Sequence, residues 1–81
     1  MKIKVLFFAY LKKLTTKEEM YLEVPSYITL EKFKSILSAA IPPIGPYLSN
    51  VKWAVNLEIV GEDVVLQDND EVAMLPPYSG G

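Results

Sequence analysis

The sequence predicts an α+β domain in which one main helix packs across a mixed sheet of about five strands. Apolar and polar residues alternate with the period of two expected of strands over residues 2–10 and 19–24. Apolar residues then recur at helical spacing over residues 30–41, and further strand candidates follow residue 52. Because a helix can join two parallel strands through a right-handed crossover, this order of elements predicts a β-grasp arrangement.

The first half of the chain predicts a hairpin and then the helix. In the first strand the odd-numbered side chains are predicted to face the core, whereas the even-numbered side begins with two lysines and continues to Phe8. Phe8 is therefore predicted to lie on a partly exposed surface. Residues 11–14 predict a short turn of helix before the second strand, and Thr29 is the predicted N-cap of the main helix.

The second half predicts a bent strand, a short strand and a final strand. The prolines within residues 42–46 end the helix, because proline lacks the backbone N–H that a helix interior needs. Residues 53–60 predict a strand that is broken by a bend near residues 56–58. Residues 64–66 predict a short strand between two turns.

The last strand, residues 71–75, has two faces of different character. Val72 and Met74 lie on its predicted core face, and Leu75 shares the other face with Glu71. Leu75 is therefore predicted, like Phe8, to be an apolar side chain on a face that begins with a charge. The predicted core consists of Ile3, Val5, Phe7, Leu22, Val24, Leu30, Phe33, Leu37, Val55, Val72 and Met74.

Composition excludes several classes of function. The 81 residues contain no Cys and no His, which removes disulfides, thiolate nucleophiles, imidazole bases and metal sites built on nitrogen or sulfur ligands. The acidic turn at residues 68–71 lacks the ligand spacing of a calcium loop. We therefore expect no metal site and no catalytic residue of the chain's own.

The charge distribution indicates what kind of partner to expect. The formal net charge is −2, and no basic residue follows Lys52. Nucleic acid is not an expected partner, because binding to it needs a basic surface. A partner of the acidic C-terminal region is expected to be basic, although acidic residues more commonly only solvate turns. No apolar stretch approaches the roughly 18 residues of a membrane span, and no signal-peptide cleavage pattern is present, so a cytoplasmic protein with no membrane contact is expected.

The chain ends in a segment that differs from the rest, namely Pro76, Pro77, Tyr78, Ser79, Gly80 and Gly81. Prolines favour extended backbone, and residues without a Cβ can pass through narrow spaces. We therefore expect a β-grasp domain over residues 1–76 and an extended flexible tail over residues 77–81 that carries a bare carboxylate into a partner's confined site. For the Gly-Gly dipeptide alone, a frayed end or a cloning scar is the alternative.

Three stretches carry a resemblance to a known family: Lys4-Val5-Leu6-Phe7-Phe8-Ala9, Ala54-Val55-Asn56, and Asp70-Glu71-Val72-Ala73 continuing through Pro76-Pro77 to Ser79-Gly80-Gly81. Together they resemble the small, sulfur-carrying subunits of molybdopterin synthase, which belong to the ubiquitin-like β-grasp sulfur carriers. The last stretch is the most specific. A terminal Gly-Gly is shared with thiamine-pathway sulfur carriers and protein modifiers, whereas the Pro-Pro and the Phe-Phe-Ala favour the molybdopterin branch.

The resemblance implies a carrier cycle. An adenylating enzyme of the ubiquitin-activating type uses ATP to activate the carboxylate of Gly81, and sulfur then converts it to a thiocarboxylate. The large catalytic subunit of the synthase receives the tail and uses the sulfur to form the dithiolene of molybdopterin. The family's apolar contact surface corresponds to Phe8, Ile59 and Leu75 in this sequence, and no tightly bound cofactor is implied. The strand pattern alone leaves the facing of Ile59 undecided.

The sequence departs from the family pattern at a few positions. Asn69 stands where Gly is frequent, which Asn can replace because it tolerates left-handed backbone. Leu75 stands where Phe is common, and Tyr78 where a smaller residue is common. Trp53, at a position that is usually small, is predicted to be a packing residue.

Three functions therefore remain open on the sequence. The first is a sulfur carrier of the molybdopterin pathway or, as a close relative, of the thiamine pathway. The second is a ubiquitin-like modifier that becomes bonded to lysines of other proteins. The third is a β-grasp interaction module with an inert tail.

Overall fold

The structure, a computed structural model, describes residues 1–77. In chain order the elements are β1 (Lys2–Phe7), α1 (Ala9–Thr15), β2 (Glu19–Glu23), α2 (Leu30–Ala40), a 3-10 segment (Pro42–Asn50), β3 (Lys52–Val55), β4 (Glu58–Ile59) and β5 (Glu71–Leu75). The predicted hairpin, main helix and final strand are all present. The predicted tail residues Tyr78, Ser79, Gly80 and Gly81 lie outside the described residues, and the proposed domain boundary at residue 76 stays a prediction.

The five strands form one mixed sheet in the order β2-β1-β5-β3-β4. β1 and β5 run parallel at its centre, and the other neighbouring pairs are antiparallel. The first and last strands of the chain are therefore hydrogen-bonded neighbours. This is the predicted α+β arrangement with a mixed sheet.

Helix α2 begins where the sequence predicts and covers one face of the sheet. The Thr29 hydroxyl accepts a hydrogen bond from the Lys32 N–H at 3.3 Å, which satisfies one of the free donors of the first turn. Its buried side chains, Leu30, Phe33 and Leu37, belong to the same apolar cluster as the odd-numbered residues of β1. Helical and strand periodicities thus meet in one core.

The core is larger than the sequence predicts, because segments outside the sheet and α2 contribute to it. Leu11 of α1, Ile44 and Leu48 of the 3-10 segment, and Leu66 are buried, and none of these was predicted. Trp53 is also buried, as expected of a packing residue. Two predicted core residues are only half-buried: Leu22 lies on the edge strand β2, and Val55 is the last residue of β3.

Three sequence-based boundaries are wrong. The first strand ends at Phe7 instead of continuing to residue 10, because α1 starts at Ala9. Residues 53–60 form a hairpin of two strands and not one bent strand. Residues 64–66 form no strand of the sheet, because their backbone bonds with the segment before α2: the Leu30 N–H donates to the Val64 carbonyl and the Leu66 N–H to the Ile28 carbonyl, both at 2.9 Å.

Leu37 offers a direct test of the core. Leu37→Ala is expected to reduce the free energy of unfolding by about 2–5 kcal/mol, because it leaves a cavity between α2 and the sheet. Leu14→Ala is the matched control, since Leu14 is exposed on α1, and it is expected to cost less than about 1 kcal/mol. Urea unfolding measures both. Equal losses for the two variants would contradict the assignment of Leu37 to the core.

Candidate functional site

The sheet face opposite α2 carries a row of residues that crosses all five strands. Paired positions place Glu19 beside Leu6, Leu6 beside Ala73, Ala73 beside Ala54, and Ala54 beside Ile59. Directly opposed residues of neighbouring strands point to the same side of a sheet, so all five share this face. From Leu6 to Ile59 the row is apolar. We call the side of the sheet that bears it the open face.

The apolar part of the open face is partly exposed. Ile59 is 60% exposed, and Leu6 and Ala73 are half-buried. Ala54 is only 5% exposed, and its paired neighbour Ala73 also has a short side chain. A shallow apolar surface with a low centre is therefore available for contact with another molecule.

Phe8 and Leu75 lie at one end of this face. Phe8 follows the last residue of β1 in extended conformation, with φ −126° and ψ 157°, and its side chain is 43% exposed. Leu75 ends β5 opposite Lys52 and is half-buried, so it is less exposed than the sequence pattern predicts. Because β1 and β5 are parallel, these two residues reach the same edge of the sheet.

Charged residues bound the open face on the side away from Leu75. Lys4 is paired with Glu71 in the sheet register, and its Nζ lies 3.8 Å from a Glu71 carboxylate oxygen and 3.6 Å from one of Glu19. These side chains are partly exposed, so the ion pairs contribute little to stability. They nevertheless separate the apolar row from Tyr21, which stands beside Lys4 on β2.

The turn before β5 is held by its own side chains. Asp70 accepts hydrogen bonds from the Asn56 side-chain amide and from the Gln67 N–H, both at 2.8 Å, and Asp68 accepts one from the Lys2 N–H at 2.7 Å. Asn69 has φ +68°, the left-handed conformation anticipated for this position. The structure thus gives these acidic residues roles in turn formation. No cluster of three or more potential metal ligands occurs within residues 1–77.

The tail leaves the body of the protein beside Leu75. Pro76 is half-buried and Pro77 is exposed, so the chain emerges at the edge where Phe8 lies. A shallow groove runs along this exit. Its lining consists of Ser49, Asn50, Val51, Lys52, Leu75, Pro76 and Pro77.

The structure therefore brings the predicted site residues onto one side of the sheet. Ile59 is the last residue of the apolar row, and Phe8 and Leu75 lie at one end of the open face. The facing of Ile59, which the sequence left open, is defined by its pairing with Ala54. Sequence reasoning missed Ala54 as a member of this face. The signal was present in the strand parity, since Ala54 alternates with the buried Trp53. Of the helices described, none is long and apolar enough to span a membrane.

Comparison with solved structures defines the class of fold. SAMP1 of Haloferax volcanii matches with a TM-score of 0.91 at 20% identity over the whole of both chains. A chain of the complex of subunits 1 and 2 of the molybdopterin-converting factor from Helicobacter pylori 26695 matches with a TM-score of 0.75 at 24% identity, also over both whole chains. A ubiquitin of Caldiarchaeum subterraneum matches with a TM-score of 0.62 at 17% identity, over 100% of this chain and 98% of that one. The chain is a ubiquitin-like β-grasp protein, as predicted.

Sequence comparison shows the family. The ThiS family matches residues 5–81, a range that includes the glycine-rich end. The molybdopterin synthase sulfur carrier subunit of Arabidopsis thaliana is 37% identical over 79 residues, which cover 98% of this chain and 82% of that protein. The protein of the same name from Chlamydomonas reinhardtii is 34% identical over 83 residues, covering both chains completely. The chain belongs to the ThiS family, and the resemblance to sulfur-carrier subunits drawn from the sequence is confirmed.

The role of Asp70 in the turn can be tested separately from any partner. Asp70→Ala removes both acceptor oxygens, so the backbone N–H of Gln67 is expected to exchange with solvent about fivefold faster, corresponding to the loss of roughly 1 kcal/mol. Hydrogen exchange followed by NMR measures this rate. Asp63→Ala, in the neighbouring exposed turn, is the control. An unchanged Gln67 rate in Asp70→Ala would show that the carboxylate does not hold the turn.

Proposed function

We propose that this chain is the sulfur-carrier subunit of a molybdopterin synthase. The observation that carries the proposal is the similarity over nearly the whole chain to proteins named molybdopterin synthase sulfur carrier subunit, at 37% identity for the Arabidopsis relative. The ThiS family match extends to residue 81 and so includes the segment that would be modified. The chain has no cysteine, and a terminal carboxyl group can carry sulfur without one.

The proposed chemistry takes place on Gly81. A carboxylate oxygen of Gly81 attacks the α-phosphorus of ATP on an adenylating enzyme, and pyrophosphate leaves. Sulfide-level sulfur then attacks the acyl carbon and forms a carbon–sulfur bond. The carbon–oxygen bond to AMP breaks, AMP leaves with that oxygen and the electron pair, and a thiocarboxylate remains. This chain supplies the acyl group and no catalytic side chain, and ATP is bound by the activating partner. Because the cycle consumes ATP, we place it in the cytoplasm.

The proposed second partner is the large catalytic subunit, in which the thiocarboxylate donates its sulfur to form the dithiolene of molybdopterin. The similar chain from Helicobacter pylori was solved in a complex of subunits 1 and 2 of a molybdopterin-converting factor. Gly81 is the fourth residue after Pro77, and four residues span at most about 14 Å. The receiving site therefore has to lie close to the edge of the sheet where Phe8 and Leu75 meet.

The open face is the surface that we assign to docking. Phe8 and Ile59 are exposed apolar side chains, and Leu75 lies between them and the tail. Apolar side chains next to the point of tail exit would bind the partner and position Pro76 and Pro77 for entry into its site. The glycines at positions 80 and 81 carry no side chain that would obstruct a narrow channel.

Intact-mass analysis distinguishes the three candidate functions. The protein is incubated with its adenylating enzyme, ATP and sulfide, and reactions without ATP serve as controls. Replacement of one oxygen by sulfur at Gly81 is the expected result. Covalent conjugates with lysines of other proteins would instead identify a modifier, and an unmodified chain would identify an interaction module with an inert tail.

Changes at the end of the chain are expected to abolish sulfur acceptance. Adding one residue after Gly81, or replacing Gly81 with Val, moves or crowds the reacting carbonyl in a confined site. The melting temperature is expected to stay unchanged, because terminal residues contribute little to stability. Full thiocarboxylate formation by either variant, measured by mass spectrometry, would refute the proposed mechanism.

Phe8 and Leu75 are expected to matter for binding more than for folding. Phe8→Ala and Leu75→Ala are each expected to weaken binding to the large subunit by about 2 kcal/mol, because each truncates an apolar contact beside the tail. Tyr27→Ala, an exposed aromatic change in the loop before α2, is the control. Titration calorimetry and thermal melts are the measurements. Early melting with normal affinity would assign both residues to the core instead.

A further inference from the structure

The turn that joins β3 to β4 has a residue that is unfavourable for the fold. Asn56 and Leu57 both have positive φ, +50° and +73°, as the two central residues of a tight hairpin do. Asn tolerates this conformation, and Gly is the usual second residue. A bulky side chain there is strained by its own Cβ. Leu57 is nevertheless 91% exposed, so no packing within residues 1–77 compensates for the strain.

The turn is also fixed in place. The Asn56 N–H donates to the Glu71 carbonyl at 2.8 Å, and the Glu71 N–H donates to the Asn56 side-chain oxygen at 2.9 Å. The Asn56 side-chain amide donates to Asp70 at 2.8 Å. These bonds join the hairpin to the start of β5. Leu57 is thus presented on a rigid support, which reduces the entropy lost when it is bound.

We propose that Leu57 is an additional anchor for the large synthase subunit, which contacts it through an apolar socket with a basic rim. This inference rests on the proposed function and extends its docking surface. Leu57 lies two residues from Ile59, at the end of the open face opposite the tail exit. A contribution to binding, and not to folding, explains why an apolar residue is strained, exposed and rigidly held at this position.

The size of a stable complex supports this occupant. Stable interfaces bury about 800 Å² on each partner, which is roughly one sixth of this protein's solvent-accessible surface of 5048 Å². A contact of that size extends beyond Phe8, Ile59 and Leu75 towards the ends of the sheet. An activating enzyme that releases its product after each cycle can use a smaller contact.

The charges around the turn indicate the basic rim. Glu58 follows Leu57 directly, and Asp70 and Glu71 are the residues bonded to Asn56. Of these three carboxylates, Glu71 is paired with Lys4. No basic residue occurs in the sequence after Lys52, so the residues that follow Leu57 are acidic or uncharged. A partner with Lys or Arg around the socket would complement this region and associate faster.

The test compares Leu57→Gly with Tyr27→Gly. Tyr27 is the matched control, because it also has positive φ, +60°, and is 89% exposed, but it lies in the connection between β2 and α2. Glycine relieves strain at both positions, so neither melting temperature is expected to fall. Affinity for the purified large subunit, measured by titration calorimetry, is expected to fall about tenfold for Leu57→Gly only. Leu57→Met, which keeps apolar bulk, is expected to retain affinity.

Each other outcome overturns the proposal in a distinguishable way. A lower melting temperature for Leu57→Gly would mean that Leu57 serves the fold. Unchanged affinity, with Phe8→Ala still weakened, would remove Leu57 from the interface while the proposed function stands. Slower adenylation with unchanged affinity for the large subunit would assign Leu57 to the activating enzyme. If the parent protein itself does not bind the large subunit, the proposed function fails first.

The basic rim has its own test. Glu58→Lys is expected to slow association with the large subunit severalfold, and an unchanged association rate would exclude the basic rim.

Discussion

The parallel pairing of β1 with β5 is the contact on which the rest of the arrangement depends. Residues at opposite ends of the sequence meet at the centre of the sheet, with Val5 beside Val72 and Phe7 beside Met74. Because the two strands run in the same direction, both end at one edge of the sheet. Phe8, Leu75 and the chain leading into the tail are therefore brought together by backbone pairing, before any side-chain contact on the open face is considered.

The two faces of the sheet have separate roles. Helix α2 and the apolar residues of the irregular segments bury one face, which supplies the hydrophobic stabilisation of this small domain. On the other face the central strands carry Leu6, Ala73 and Ala54, and within this row exposure is highest at Ile59. Changes on the open face therefore affect stability less than changes in the core, and this separation lets a partner surface vary without loss of the fold.

Much of the fold follows from the sequence, because period-two and helical patterns lie on faces that become the core. Strand parity predicted β1 and β5, and Thr29 marked the start of α2. The errors occurred where local pattern and tertiary contacts disagree. The Asn56-Leu57 dipeptide lacks the glycine that is typical of a tight hairpin turn, so the sequence indicates a break by a bend and not a turn between two paired strands. The residues around Val65 have strand composition, but their hydrogen-bond partners lie before α2 and not in the sheet.

For the site, parity placed Phe8 and Leu75 on one face, whereas the facing of Ile59 required the observed pairing with Ala54.

This family member is proposed to act through its open face and its tail together. The most direct test is an NMR titration of the isotope-labelled protein with the unlabelled large subunit. Chemical-shift changes are expected along Leu6, Phe8, Ala54, Ile59, Ala73 and Leu75 and into the residues after Pro76, with little change at the exposed residues of α2. Changes concentrated on α2 and the 3-10 segment, with the open face unaffected, would contradict a docking role for the open face.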